Sequence, residues 1–222
     1  MIKINPSIKI IASFIAFIIA MIACRVIYSG SLRYMFLLWN LFLAWIPFQI
    51  SIVLIKREAI SKLTTFLLLS AWLLFFPNAL YIITDLVHLQ ESKQDAPVWF
   101  DAILLFTSSI TGLIMAFISL FNIEAFLQRT VKDVVVERLI IGCIFLGSFG
   151  VYLGRFSRWN SWDIIADPLN LVREITKACM LPVQYYRTWG VTALLTCLFS
   201  LLYYTIKKLP GLFKEPGNKL II

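Results

Sequence analysis

Long apolar runs broken by short polar stretches set the pattern of this chain. Hydrocarbon about 30 Å thick takes around 20 apolar residues per helix, and windows of that kind recur along the sequence. They cover about residues 8–27, 34–55, 63–83, 98–123, 139–154 and 189–206. A further segment, about 168–181, has a different rhythm. Asp167-Pro168 is a helix start, with Asp at the N-cap and Pro in the first turn. Leu171, Val172, Ile175 and Ala178 then form an apolar face opposite Arg173, Glu174 and Lys177, and Pro182 ends it. Such a helix lies in the membrane interface. The expected architecture is all-α: one integral-membrane domain over 1–222, a polytopic transmembrane bundle of six spans plus this amphipathic helix.

Composition agrees with the pattern. The 222 residues are 60% hydrophobic and 14% charged, with mean hydropathy +0.87. A soluble domain carries roughly a quarter charged residues. The net charge of +8 lies between the spans rather than in one basic block, which fits topology signals and contacts with anionic membrane lipid, not nucleic acid. Twelve of the 20 lysines and arginines fall on the face that holds both termini and eight on the other. The positive-inside rule then places both termini in the cytoplasm of a multi-pass cell-membrane protein, as in a bacterial inner membrane. Cys24, Cys143, Cys179 and Cys197 form no Cys-x-x-Cys pair and are expected as buried thiols. Met21 to Cys24 faintly resembles a lipoprotein cleavage site, but the first segment is expected as a retained helix.

Polar residues inside apolar spans are costly, so each one points to packing or chemistry. Arg25, near the end of the first span, is expected to reach the headgroups. Asp101, Ser108, Thr111 and Ser119 share one face of the fourth span, turned inward and suited to interhelical hydrogen bonds more than to a permeation path. Cys143, Gly147, Gly150 and Gly154 make a ridge of small residues in the fifth, where a neighbour can approach closely.

The densest polar chemistry follows Pro77 in the third span. Proline deletes a backbone hydrogen bond there, and Asn78 can serve the freed groups. If helix resumes beyond it, Asn78, Tyr81, Asp85 and His88 fall in one stripe roughly 80° wide, at about 100° per residue. With six spans, this stripe, Asp101 and the segment from Arg155 to Asp163 all lie at the same membrane face. The candidate site is therefore Asn78, Tyr81, Asp85, His88 and Asp101 facing Arg155, Arg158, Trp159, Asn160 and Asp163.

Three readings of that site stay open. Arginines and interfacial tryptophans suit an anion, such as a lipid headgroup or a phosphate-bearing small molecule. Asp85 and His88 suit acid–base catalysis in a membrane enzyme, or two ligands to a metal ion. Ion pairs between Asp85 and the arginines would instead lock helices together in a structural or assembly subunit. No serine-nucleophile motif, phosphate-binding glycine loop or nucleotide fingerprint is present.

Pro77-Asn78, Tyr81-Ile82, Thr84-Asp85-Leu86, Trp99 with Asp101, Gly154-Arg155-Phe156 and Arg158-Trp159-Asn160-Ser161-Trp162-Asp163 together resemble an uncharacterised bacterial membrane family, known only as a domain of unknown function. Leu80 stands where that pattern has a second proline. The resemblance runs from the second span to the last. It implies a multi-span membrane protein and no particular activity.

Overall fold

A computed structural model describes residues 6–57, 61–89 and 96–212. Lys3, Lys93, Lys214 and Lys219, which enter the charge count above, lie outside the described residues. The chain forms α1 (Pro6–Ser29), α2 (Phe36–Lys56), α3 (Lys62–Tyr81), a 3₁₀ segment (Ile82–Leu89), α4 (Val98–Leu127), α5 (Asp133–Phe156), α6 (Asp163–Ala166), α7 (Pro168–Met180) and α8 (Tyr186–Leu212). Six of these stretches are long and apolar enough to cross a membrane. They are the six expected windows, and the protein is an all-α polytopic membrane bundle.

Local chemistry explains the ends. Gly30 closes α1 at φ +66°, donating its N–H to Val26 O at 2.8 Å, a left-handed cap that a side chain disfavours. Ser61 starts α3 by accepting the Thr64 N–H at 3.1 Å. Asp167 stands at the head of α7 as expected, but its carboxylate holds the Asn170 side-chain amide at 2.9 Å rather than a backbone N–H. The charged residues between the fourth and fifth windows are largely helical: α5 begins at Asp133, six residues before its apolar run.

The core is built around α4, which packs on α1, α2, α3 and the 3₁₀ segment. Asp101, Ser108, Thr111 and Ser119 are all buried there. The hydroxyls divide their work. Ser108 and Thr111 donate to carbonyls one turn back in their own helix, at 2.9 and 2.7 Å. Ser119 is interhelical, accepting the Trp72 indole N–H at 2.6 Å. Ser109 donates to Ile82 O at 3.1 Å, tying the 3₁₀ segment to α4. Interhelical bonds of this kind contribute about 0.6–2 kcal/mol in a bilayer.

Helix α5 packs on α3 and α8, and its glycines meet the Pro77 turn. A Cβ at Gly150 would stand 2.6 Å from Pro77 Cγ, and one at Gly147 would stand 2.9 Å from Phe76 Cε1. This close approach brings the end of α5 against the end of α3. At the opposite end of the bundle, Glu124 of α4 accepts from Tyr203 at 2.5 Å and pairs with Lys207 of α8. The expectation of buried thiols is not met: Cys24, Cys179 and Cys197 are exposed and Cys143 only partly covered. A small apolar thiol on a membrane helix sits as readily against lipid as against a neighbouring helix.

Candidate functional site

The site begins with a change of winding. Helix α3 passes through Pro77 and ends at Tyr81, and the chain tightens into the 3₁₀ segment. With three residues per turn, residues three apart eclipse, so Ile82, Asp85 and His88 share one edge. The single stripe expected from α-helical spacing therefore divides. Asn78 faces the loop after α5, while Tyr81, Asp85 and His88 face Arg155.

Asp85 is 1% exposed. Its Oδ2 accepts the Asn40 side-chain amide at 2.8 Å, and its Oδ1 receives Arg155 Nη1 at 3.4 Å. The same Nη1 donates to Tyr81 Oη at 3.1 Å and lies 3.3 Å from His88 Nε2. The guanidinium carbon stands 5.7 Å from the centre of the Tyr81 ring. His88 packs edge-on to Phe36, ring centres 5.1 Å apart. Its Nε2 is 3.9 Å from Asp85 Oδ1, too far for a hydrogen bond. A buried carboxylate costs several kcal/mol to desolvate, and the asparagine and arginine offset that cost.

The carbonyl that Pro77 leaves without its helical donor is Leu73 O, four residues back, and it is not reached by Asn78. The Asn78 amide donates to Phe75 O at 3.0 Å and to Ser161 Oγ at 2.9 Å. Ser161 in turn donates to Leu74 O at 3.2 Å. Carbonyls next to Pro77 thus receive side-chain donors, and the loop after α5 is stitched to α3. Within that loop, Asp163 accepts the Asn160 N–H at 2.6 Å and its side-chain amide at 3.3 Å, so both residues are used internally. Arg158 is exposed, with φ +60°. It makes no hydrogen bond or ion pair among the described residues.

Asp101 lies outside this cluster. It points to α1, receiving Arg25 Nε at 2.8 Å and Nη2 at 3.2 Å, with the guanidinium 4.6 Å from the Tyr34 ring centre. Membership of one membrane face grouped Asp101 with Asp85, but α4 packs on α1 at this level and turns the carboxylate there. The same contact corrects the expectation for Arg25. Its side chain is 1% exposed, held by Asp101 rather than reaching the headgroups.

A cavity of about 420 Å³ opens beside the cluster, between α2, α3, α5 and α7. Asn40 and Tyr81 belong to both. Asn40 and Ser161 are the partners that sequence reading left unassigned. An amide inside a mostly apolar second span was the signal for Asn40, one it shared with Gln49; Ser161, in a loop full of polar residues, carried none. Among the described residues, no three His, Cys, Asp or Glu side chains gather where they can share a metal ion, so Asp85 and His88 have no third ligand of that kind there.

These features define a polytopic α-helical membrane protein with a charged cluster and an amphipathic cavity at one end. The family model described as "Protein of unknown function (DUF1361)" matches residues 39–204, and the chain belongs to that family. The matched stretch contains Asn40, Tyr81, Asp85, His88 and Arg155 but not Arg25. Neither the curated proteins nor the solved structures provide a match.

Proposed function

We propose that this protein binds an anionic, phosphate-bearing ligand at the outer face of the membrane, with both termini in the cytoplasm. The ligand is a lipid headgroup or a phosphate-bearing small molecule. The observation that carries this reading is the way Arg155 is spent. One nitrogen, Nη1, makes all its contacts to Tyr81, Asp85 and His88. Its Nε and Nη2 make no hydrogen bond among the described residues, and the side chain is 16% exposed. A guanidinium held on one side by a carboxylate presents its other edge in a fixed direction, the geometry suited to phosphate oxygens. Arg158 supplies a second, exposed charge from the loop that follows α5, with Trp159 in the cavity wall beside it. Asp85 and His88 orient Arg155 or exchange protons beside it.

Native mass spectrometry of gently extracted protein tests this. The wild type should retain an anionic adduct that Arg155→Gln and Arg158→Gln each lose, and that an Asp85→Asn/His88→Ala double variant holds poorly. Identical spectra from equally folded proteins would contradict it. They would favour a second reading, a helix lock, which the near-complete burial of Asp85 supports. The acid–base reading has less support, because the 3.9 Å between His88 and Asp85 makes no hydrogen-bonded pair.

A further inference from the structure

We propose that the cavity beneath α7 takes one acyl chain of an anionic membrane lipid, drawn from the leaflet at that face, with the headgroup at the Arg155 end. This rests on the anion reading above and names the source of the anion.

Depth and polarity carry the argument. On α5 the cavity runs from Gly154 to Leu146, eight residues at 1.5 Å each, or about 12 Å. That is less than half of a hydrocarbon core about 30 Å thick, so the cavity lies within a single leaflet. Its polar wall residues sit at the membrane face: Asn40 in the first turns of α2, Asn78 and Tyr81 at the end of α3, and Asn160 in the loop. Deeper in, the wall is Leu43, Leu73, Leu146 and Phe149. A volume of about 420 Å³ falls in the range of small-molecule sites, roughly 300–1,000 Å³. A soluble phosphate compound has no use for the deep apolar half, whereas a lipid fills both halves.

The roof has the matching character. Leu171 and Ile175 of α7 line the cavity, one turn apart on the helix's apolar face, while Arg173 and Lys177 are exposed. Trp189 of α8 donates its indole N–H to Ala178 O at 2.9 Å, anchoring the far end of α7. The amphipathic helix therefore covers a chain-sized slot and puts positive charge at the level of the headgroups.

The test is photo-crosslinking of the full chain in phosphatidylcholine vesicles, using phosphatidylglycerol with a diazirine in mid-chain. Label should concentrate on peptides containing Leu146–Phe149 and Leu171–Ile175, about tenfold above the exposed α8 face at Leu194, Leu198 and Leu201. Excess unlabelled phosphatidylglycerol should suppress it, and glycerol phosphate at the same concentration should not. Ile175→Trp, which fills the slot from α7, should lower groove labelling about tenfold with thermal stability kept. Even labelling of all lipid-facing helices, or displacement by glycerol phosphate alone, would overturn the proposal. So would equal groove labelling by a diazirine phosphatidylcholine probe, which would take the anion reading down as well. Retention of an anion without groove labelling would remove the lipid slot and leave that reading standing.

Discussion

Two arginine–carboxylate pairs lie at the same end of this bundle, and they are built differently. Arg25 and Asp101 are sealed: side chains 1% and 0% exposed, two hydrogen bonds at 2.8 and 3.2 Å, and Tyr34 over the guanidinium. Asp85 and Arg155 are half open. The carboxylate is equally buried, but the arginine is 16% exposed, reaches it at 3.4 Å, and shares the same nitrogen with Tyr81 and His88. A second cavity, about 310 Å³, has Arg25 in its wall, yet the side chains of Arg25 and Asp101 stay covered, which suits them to holding helices. A half-open pair keeps one side for a visitor. That difference, rather than the presence of charge in a membrane, is why the second pair and not the first is the one we propose as a site.

Breaking the sealed pair should have the largest effect. Asp101→Ala leaves a buried guanidinium without its carboxylate and should cost about 3–5 kcal/mol of unfolding free energy in detergent. An Arg25→Leu/Asp101→Leu double variant should recover most of that loss, since apolar replacement of a buried pair is often near neutral. Equal losses in the single and double variants would show that the pair is not the lock.

Next comes the joint that positions the open pair. Gly150→Ala puts a methyl 2.6 Å from Pro77 Cγ and should cost about 2 kcal/mol by overpacking. It should also draw Arg155 away from Asp85, seen as lost anion retention. Asp85→Asn should cost less, about 1 kcal/mol, because Arg155 can turn its charge to the headgroups. Its retention of anion should fall all the same, a split between stability and binding that Asp101→Ala would not show. Smallest is Arg158→Gln. An exposed side chain with no hydrogen bond or ion pair among the described residues should change stability by no more than about 0.5 kcal/mol, yet its loss should remove the anionic adduct. Thermal melts beside native spectra check all three.

Much of the fold was legible because hydropathy reports it directly. The six windows, the amphipathic helix beginning at Pro168 and the glycine ridge of α5 all follow from residue size and polarity at helical spacing. The facing of Asp85 toward Arg155 was legible too, from span parity. Rotation was not. Nothing in Ile82 to Leu89 announces three residues per turn instead of 3.6, so Asn78 and Asp85 were placed on one stripe that the structure divides. Asp101 was assigned by height in the membrane, which says nothing about which neighbour it faces. Arg25 was expected in the headgroups because its partner lies 76 residues on, and only packing of α4 on α1 joins them.

The central claim is that the half-open pair binds an anion and the sealed pair does not. The most direct measurement is the melting temperature of the full chain in phosphatidylcholine nanodiscs as the phosphatidylglycerol fraction is raised. A ligand that binds only the folded state stabilises it in proportion to the logarithm of its occupancy ratio, about 2.7 kcal/mol at a hundred times Kd. The wild type should rise with the anionic fraction, and Arg155→Gln should stay flat. The Arg25→Leu/Asp101→Leu variant should rise like the wild type. The same slope in the wild type and in Arg155→Gln would contradict the claim and leave both pairs as locks.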